Sequence, residues 1–209
     1  MRPDLWFAFV AATLVIGLIP GPGVAAILGY AIGAGRRTAF ASVAGLMIGN
    51  LAASTASLLG MGAVLAASAF LFGLLKWAGA AYLIAIGVLG LWRARNSDAV
   101  AIRPRLISPR AAFLGNLGVG TFHPKTILFL AAFAPQFIDP HRAYWPQAGI
   151  LVVTFVLVLA LTDACYAWAA SSAGGLLRST KAQAWAQRAG GGALIFAGLA
   201  TAAIRRRSA

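Results

Sequence analysis

Glutamate is absent from this 209-residue chain, and its acidic residues are four aspartates, Asp4, Asp98, Asp139 and Asp163. Charged residues of both signs make up 10% of the sequence, against about 25% in an ordinary soluble domain. That is too few to cover a soluble fold, so a soluble enzyme and a disordered chain are both poor readings. A single cysteine, Cys165, leaves no internal disulfide and no two-cysteine thiol relay. A secreted disulfide scaffold is therefore disfavoured, as is a membrane thiol oxidoreductase. Two histidines, one cysteine and no glutamate cannot build a usual zinc site. No Ser/His/Asp set, phosphate-binding loop or dinucleotide fingerprint is present. The expectation is a non-enzyme with no metal and no cofactor.

What is abundant is apolar sequence. Hydrophobic residues make up 61% of the chain, and the mean hydropathy is +0.85. Both point to an integral membrane protein. Backbone groups in lipid must be satisfied internally, which leaves helices or a closed barrel. Long apolar runs without strict alternation argue against the barrel. The fold class expected is therefore an all-α integral membrane protein.

A bilayer core of about 30 Å takes roughly 20 helical residues. On that measure the chain divides into six spans. No charge lies between Asp4 and Arg36, which is the first span. The stretch from Arg37 to Lys76 is too long for one crossing and is expected to turn near Ala66–Phe70. The third span runs to about Trp92, the fourth covers about Ala111–Ala134, the fifth Pro146–Ala173 and the sixth Ala182–Ile204. A basic linker over 93–110 splits a single transporter domain (1–209) into halves 1–92 and 111–209. The N-terminal run has the outline of a signal peptide, but Pro20-Gly21-Pro22 occupies the place of cleavage and apolar sequence resumes after it.

The net charge of +13 would suggest nucleic acid on a soluble protein. Here the positive residues sit between apolar runs, as in membrane loops. Linkers one, three and five carry ten lysines and arginines (Arg36, Arg37; Arg93, Arg95, Arg103, Arg105, Arg110; Arg178, Lys181, Arg188). The other side carries five: Arg2, Arg142 and the terminal Arg205, Arg206 and Arg207. The count places linkers one, three and five in the cytoplasm, with the terminal triplet opposing it.

Two prolines carry the most information. Pro20 lies in Gly17-Leu18-Ile19-Pro20-Gly21-Pro22-Gly23, and Pro124 in Gly118-Val119-Gly120-Thr121-Phe122-His123-Pro124-Lys125. They stand about half a chain apart, at similar depths in the first and fourth spans. Proline removes a helical donor and clashes with the preceding turn, and neighbouring glycines weaken the helix further. Both spans are therefore expected to break near mid-membrane. Matched breaks in two halves mark a transporter site. Three helices per half also give the halves opposite orientations, an inverted repeat. The half-helices beginning after Pro20 and Pro124 present free N–H groups at Gly21, Gly23, Val24, Lys125 and Thr126, which suit an anion. The half-helices ending there present carbonyls, which suit a cation. A zwitterion matches both. An isolated proline, by contrast, is often a mere kink.

Polar residues within the spans extend this constellation. Lys125 is a mid-membrane charge, functional by default, with a substrate carboxylate or Asp163 as partner and interfacial snorkelling as the bland alternative. Asp163 is the acidic residue inside a span, suited to a substrate ammonium or a coupling proton, or else to a structural pairing with Lys125. His123 is a candidate proton carrier, or a packed histidine bonded to a carbonyl. Asn50 and Asn116 read first as helix–helix hydrogen-bonding groups. Gly45-x-x-x-Gly49 and Gly29-x-x-x-Gly33 are close-packing patterns. His141 reads as surface. Lys76, Trp77, Trp92, Trp145 and Trp185 read as interface anchors.

Several segments together resemble the LysE/RhtB amino-acid exporters over nearly the whole chain. Pro20-Gly21-Pro22 looks like that family's proline–glycine–proline signature. Gly35-Arg36-Arg37, followed by Gly45 and Gly49, looks like its first basic loop and glycine-spaced second helix. Lys76-Trp77-Ala78-Gly79-Ala80-Ala81-Tyr82-Leu83 is similar to its lysine…glycine-alanine-x-tyrosine-leucine stretch. Phe113-Leu114-Gly115-Asn116-Leu117, leading to His123-Pro124-Lys125, resembles its asparagine-proline-lysine region. Ala134-Pro135-Gln136-Phe137-Ile138-Asp139-Pro140 resembles its proline-glutamine-phenylalanine segment. The resemblance implies a bacterial inner-membrane exporter of amino acids or close derivatives, driven by the proton gradient. Two departures flank the implied site: His123 stands where the family usually has asparagine, and Gly23 where it often has a polar residue.

The expectation is thus a secondary-active exporter, since no nucleotide-binding domain is present. Its substrate site comprises Pro20, Gly21, Pro22, Gly23, Asn50, His123, Pro124 and Lys125, with Asp163 and His123 holding the ammonium or the coupling proton. Alternating access would come from rocking one half against the other. An exporter of a metal or other inorganic ion is the alternative within the same architecture, disfavoured by the scarcity of carboxylates and histidines. A non-transporting membrane scaffold would not need matched breaks or charges at mid-depth. Glycine-rich helices would support a homodimer, but no residue specifies one.

Overall fold

A computed structural model describes residues 1–67, 105–139 and 141–172, together with single positions between 74 and 95 and between 188 and 199. The regular elements among the described residues are all helical. They are α1 (Pro3–Leu18), α2 (Pro22–Ala67), α3 (Pro109–Thr121), α4 (Pro124–Phe133), a 3-10 turn (Ala134–Phe137) and α5 (Tyr144–Ser172). Of the expected turn near Ala66–Phe70, Ala66 and Ala67 are still helical, and its remainder, most of the third span, the Lys76–Leu83 segment as a run, the linker at 96–104 and most of the sixth span lie outside the described residues.

Proline sets the starts. Pro3, Pro22, Pro109 and Pro124 each open a helix. There the missing N–H costs nothing, because the first helical donors have no partner within the helix. The residue before a proline is pushed toward extended backbone. Ile19, before Pro20, has φ −84° and ψ 110°. His123, before Pro124, has φ −76° and ψ 104°. The same local device thus ends α1 and separates α3 from α4. Ser108 caps α3, its Oγ accepting from the Ala111 N–H at 3.2 Å, an arrangement worth about 1 kcal/mol.

Sequence and structure differ in detail at the first basic loop. Rather than a loop, Gly35 alone interrupts α2, with φ 81° and ψ 178°. This left-handed conformation needs glycine. It divides α2 into a segment after the first break and a second segment that runs on to Ala67. The fourth span is interrupted before Pro124, where the sequence places its break, and runs as α3, α4 and the 3-10 turn.

By length and composition Pro22–Gly62 and Tyr144–Ser172 are apolar enough to cross a membrane. Lipid offers little hydrophobic drive between helices, so small residues and close backbones hold such bundles together. That is what joins α2 to α3. A Cβ at Gly45 would run into the Phe113 carbonyl, and one at Gly120 would lie 2.7 Å from the Leu46 carbonyl. A Cβ at Gly49 would meet the Leu117 carbonyl and the Thr121 N–H. The Gly45/Gly49 pattern is therefore a packing seam. Large apolar side chains such as Phe7, Leu157, Leu161, Trp145 and Trp168 point outward.

Two apolar clusters fill the interior. One gathers Phe9, Leu58, Phe129, Phe133, Phe137, Leu151 and Phe155, with Phe9 and Phe137 edge to face at 5.3 Å. The other gathers Val24, Ile27, Leu28, Val43, Leu46, Ala167 and Ala170. Along α2 the clusters are separated by Asn50 and Ser54, and along α5 by Thr162 and Asp163, all four buried. A polar layer thus lies between two apolar ones, at the level of the proline breaks.

Candidate functional site

At the first break, α1 ends at Leu18 and α2 begins at Pro22. The Ala25 N–H bonds to the Gly21 carbonyl at 2.9 Å, so the N–H groups of Gly23 and Val24 precede the first intrahelical bond. At the second break the Ile127 N–H bonds to the His123 carbonyl at 3.2 Å. This leaves those of Lys125 and Thr126 in the same position. No side chain caps the start of α4. Two helix N-termini therefore bring partial positive charge to one level.

The carbonyl end of α1 is closed by groups from elsewhere in the chain. Lys125 Nζ donates to the Ile16 carbonyl at 3.0 Å and reaches that of Ile19 at 3.5 Å. The Tyr166 hydroxyl donates to the Leu18 carbonyl at 2.9 Å. Lys125 is thus a bridge between the two breaks rather than a side chain snorkelling to an interface. An ammonium has three donors, so one remains after the two carbonyls.

Between the breaks lies a cavity of about 30 Å³. Gly21, Gly23, Asn50, His123, Lys125 and Asp163 line it, so six of the residues singled out in sequence meet in one place. Pro20, Pro22 and Pro124 shape the breaks without lining it. Asp163 is 5% exposed. It has neither an ion-pair nor a hydrogen-bond partner among the described residues, so the sequence's alternative of a direct Lys125–Asp163 ion pair is not formed. Instead an ammonium and a carboxylate line one small space. A buried unpaired carboxylate is costly and demands a proton or a cation.

Of the other lining residues, the sequence marked Val24 and Thr126 for their backbone N–H groups alone, and gave Gly17, Ile19, Leu46 and Leu159 no place in the site. Thr126 is two residues past Pro124 and its hydroxyl donates to Asn50 Oδ1 at 3.3 Å. Leu46 could not have been found from sequence, since it reaches the site only through the glycine seam. Asn116 is a helix-to-helix group as expected. Its Nδ2 donates to Ser42 Oγ at 2.6 Å and to the Gly23 carbonyl at 3.3 Å. His141 is exposed in the turn after α4, beside the Asp139–Arg142 ion pair.

The cavity holds room for a water or two, less than any amino acid needs. Admitting one requires the walls to part. Leu46 and Leu159 are its movable apolar side chains, whereas the breaks are fixed by proline.

Comparison with known proteins finds relatives over most of the chain. A family model described as LysE type translocator matches residues 14–206. A membrane protein of Vibrio cholerae, named as uncharacterized, is 34% identical over 179 residues, covering 86% of this chain and 87% of that protein. The homoserine/homoserine lactone efflux protein of Salmonella typhi is 32% identical over 205 residues, covering 98% of this chain and 99% of that protein. The leucine efflux protein of Salmonella choleraesuis is 26% identical over 163 residues, covering 78% and 75%. No solved structure matches the chain. With its paired proline breaks and a family match over nearly its full length, the chain belongs to the LysE type translocator family.

Proposed function

We propose that this protein exports amino acids or related small zwitterions across the bacterial inner membrane, as a multi-pass secondary transporter coupled to protons. The observation that carries this reading is the cavity where Lys125 and Asp163 meet without pairing, between two helix N-termini. A zwitterion answers both charges. Its carboxylate takes the free donor of Lys125 and the N–H groups of Gly23, Val24, Lys125 and Thr126. Its ammonium takes Asp163, with Asn50 beside it. Relatives named for efflux of homoserine, homoserine lactone and leucine support the cargo class.

In the full proposal six spans form two inverted three-helix halves, each with one broken helix. Rocking of the halves opens the cavity to either side in turn. Asp163 holds either the cargo ammonium or a proton, so its occupancy links cargo to proton movement, and His123 offers a second proton position beside Pro124.

The test is efflux from proteoliposomes loaded with homoserine, homoserine lactone and leucine under an imposed proton gradient. Release that stops when the gradient is dissipated, and that Asp163→Asn abolishes, supports the proposal. Full efflux by Asp163→Asn removes Asp163 from it.

A further inference from the structure

A second and larger cavity, of about 400 Å³, opens between the first segment of α2 and α3. Pro22, Ala26 and Tyr30 line one wall, Asn116 and Val119 the other, and Arg105 stands with them. This volume falls within the roughly 300–1,000 Å³ of small-ligand pockets, so it admits an amino acid where the central cavity does not.

Its polar groups are few and unspent. Arg105 is exposed and its guanidinium has no ion-pair or hydrogen-bond partner among the described residues. Its backbone is pinned: the Arg105 N–H bonds to the Gly29 carbonyl at 3.1 Å. A Cβ at Gly33 would sit 2.5 Å from that same nitrogen. The two glycines of the Gly29-x-x-x-Gly33 pattern thus let an otherwise irregular strand of chain lie directly on α2. Tyr30 is 4% exposed, with no partner for its hydroxyl among the described residues. Asn116 is 1% exposed, and its Oδ1 is buried without a hydrogen bond. No acidic residue lines the cavity among the described residues.

The position also matters. Pro22 lines this cavity, while its neighbours Gly21 and Gly23 line the central one. Asn116 holds the Gly23 carbonyl from this side. One turn of backbone separates the two spaces. The larger cavity lies toward the end carrying Arg36, Arg37, Arg105 and Arg110, the end that the Lys/Arg count places in the cytoplasm.

We propose that Tyr30, Arg105 and Asn116 form a cytoplasmic entry site, in which Arg105 captures the cargo's carboxylate before the cargo crosses the first break. The proposal deepens the export reading and rests on it. Arg105 is the carboxylate receptor, since a guanidinium matches a carboxylate with two parallel donors. The neutral Tyr30 hydroxyl and the Asn116 side chain complete the wall without offering the ammonium a charged partner. Lacking a carboxylate of its own, the site selects for the acid end of the cargo and leaves the ammonium to be recognised at Asp163.

Everted membrane vesicles, whose cytoplasmic face points outward, test this with two probes that differ at the acid end. L-Homoserine carries a carboxylate, and L-homoserine lactone does not. In Arg105→Gln the KM for L-homoserine uptake is expected to rise about tenfold or more, with the maximal rate within about twofold of wild type. The KM for the lactone is expected to stay unchanged, and Arg105→Lys to lie between. An active Arg105→Gln protein with unchanged homoserine KM, or an equal shift for both probes, overturns the entry site and leaves the export reading standing. Conversely, wild-type vesicles that take up neither probe, with homoserine binding to the purified chain still weakened by Arg105→Gln, support the entry site and remove the export reading.

Discussion

The ammonium of Lys125, just beyond the second proline break, donates to the carbonyl of Ile16 in the last turn before the first break, at 3.0 Å. One side chain thereby ties the two interrupted helices together. It places a positive charge at a helix C-terminus, where the helix dipole favours it. It also keeps a donor for a ligand. Structure and recognition rest on the same nitrogen.

Replacing Lys125 with methionine keeps the length of the side chain and removes its donors. The carbonyls of Ile16 and Ile19 are then left without them. Loss of a charged hydrogen bond costs about 1.5–3 kcal/mol, so cargo affinity should fall about 10- to 100-fold. Thermal stability should fall as well. Concentration-dependent efflux and a melting curve on purified protein check both. Wild-type KM in Lys125→Met would mean that the ammonium is structural alone.

Asp163→Asn should separate stability from activity. The carboxylate is buried without a partner, and removing an uncompensated buried charge generally stabilises a fold. The variant should melt at or above the wild-type temperature while exporting nothing. A variant that both unfolds and loses efflux would instead make Asp163 a packing residue.

Glycines with different neighbours should respond differently to the same substitution. At Gly45 a methyl group meets the Phe113 backbone carbonyl, which cannot yield without moving α3. Overpacking of this kind costs about 1–3 kcal/mol. At Gly60 nothing lies within 4 Å, so alanine there should be neutral or stabilising by up to about 1 kcal/mol. Melting temperatures of Gly45→Ala and Gly60→Ala compare the two directly. Equal values would contradict the packing seam.

Gly23 is an intermediate case with a functional readout. A Cβ there would approach the Leu46 side chain at 2.8 Å, and Leu46 lines the central cavity, so displacing it changes the cavity wall. Gly23→Ala should therefore lower efflux of leucine more than that of the smaller homoserine. Competition between the two cargoes in one vesicle preparation measures the ratio. An unchanged ratio would take Leu46 out of cargo selection.

Much of this site was legible in the sequence because proline acts locally. Pro20 and Pro124 fix their own backbone and that of the residue before them, whatever surrounds them. Lys125 and Asp163 were legible because charge in an apolar run has few explanations. Leu46 and Tyr30 were not, since an apolar or aromatic side chain in a spanning helix carries no mark of the wall it faces. Arg105 was read as one of many loop cations. Its significance depends on Gly29 and Gly33, which bring its backbone onto α2 from far along the chain. The Gly35 break was hidden for a related reason: a glycine before two arginines suits a loop as well as a one-residue kink.

The most direct test of the central claim uses the unpaired charges themselves. Proteoliposomes of the wild type, Lys125→Met and Asp163→Asn are loaded with homoserine and leucine, and efflux is followed under an imposed proton gradient. The account predicts gradient-dependent release by the wild type, a KM raised about 10- to 100-fold in Lys125→Met and no release in Asp163→Asn. Release of either cargo by both variants at the wild-type rate and KM would contradict it.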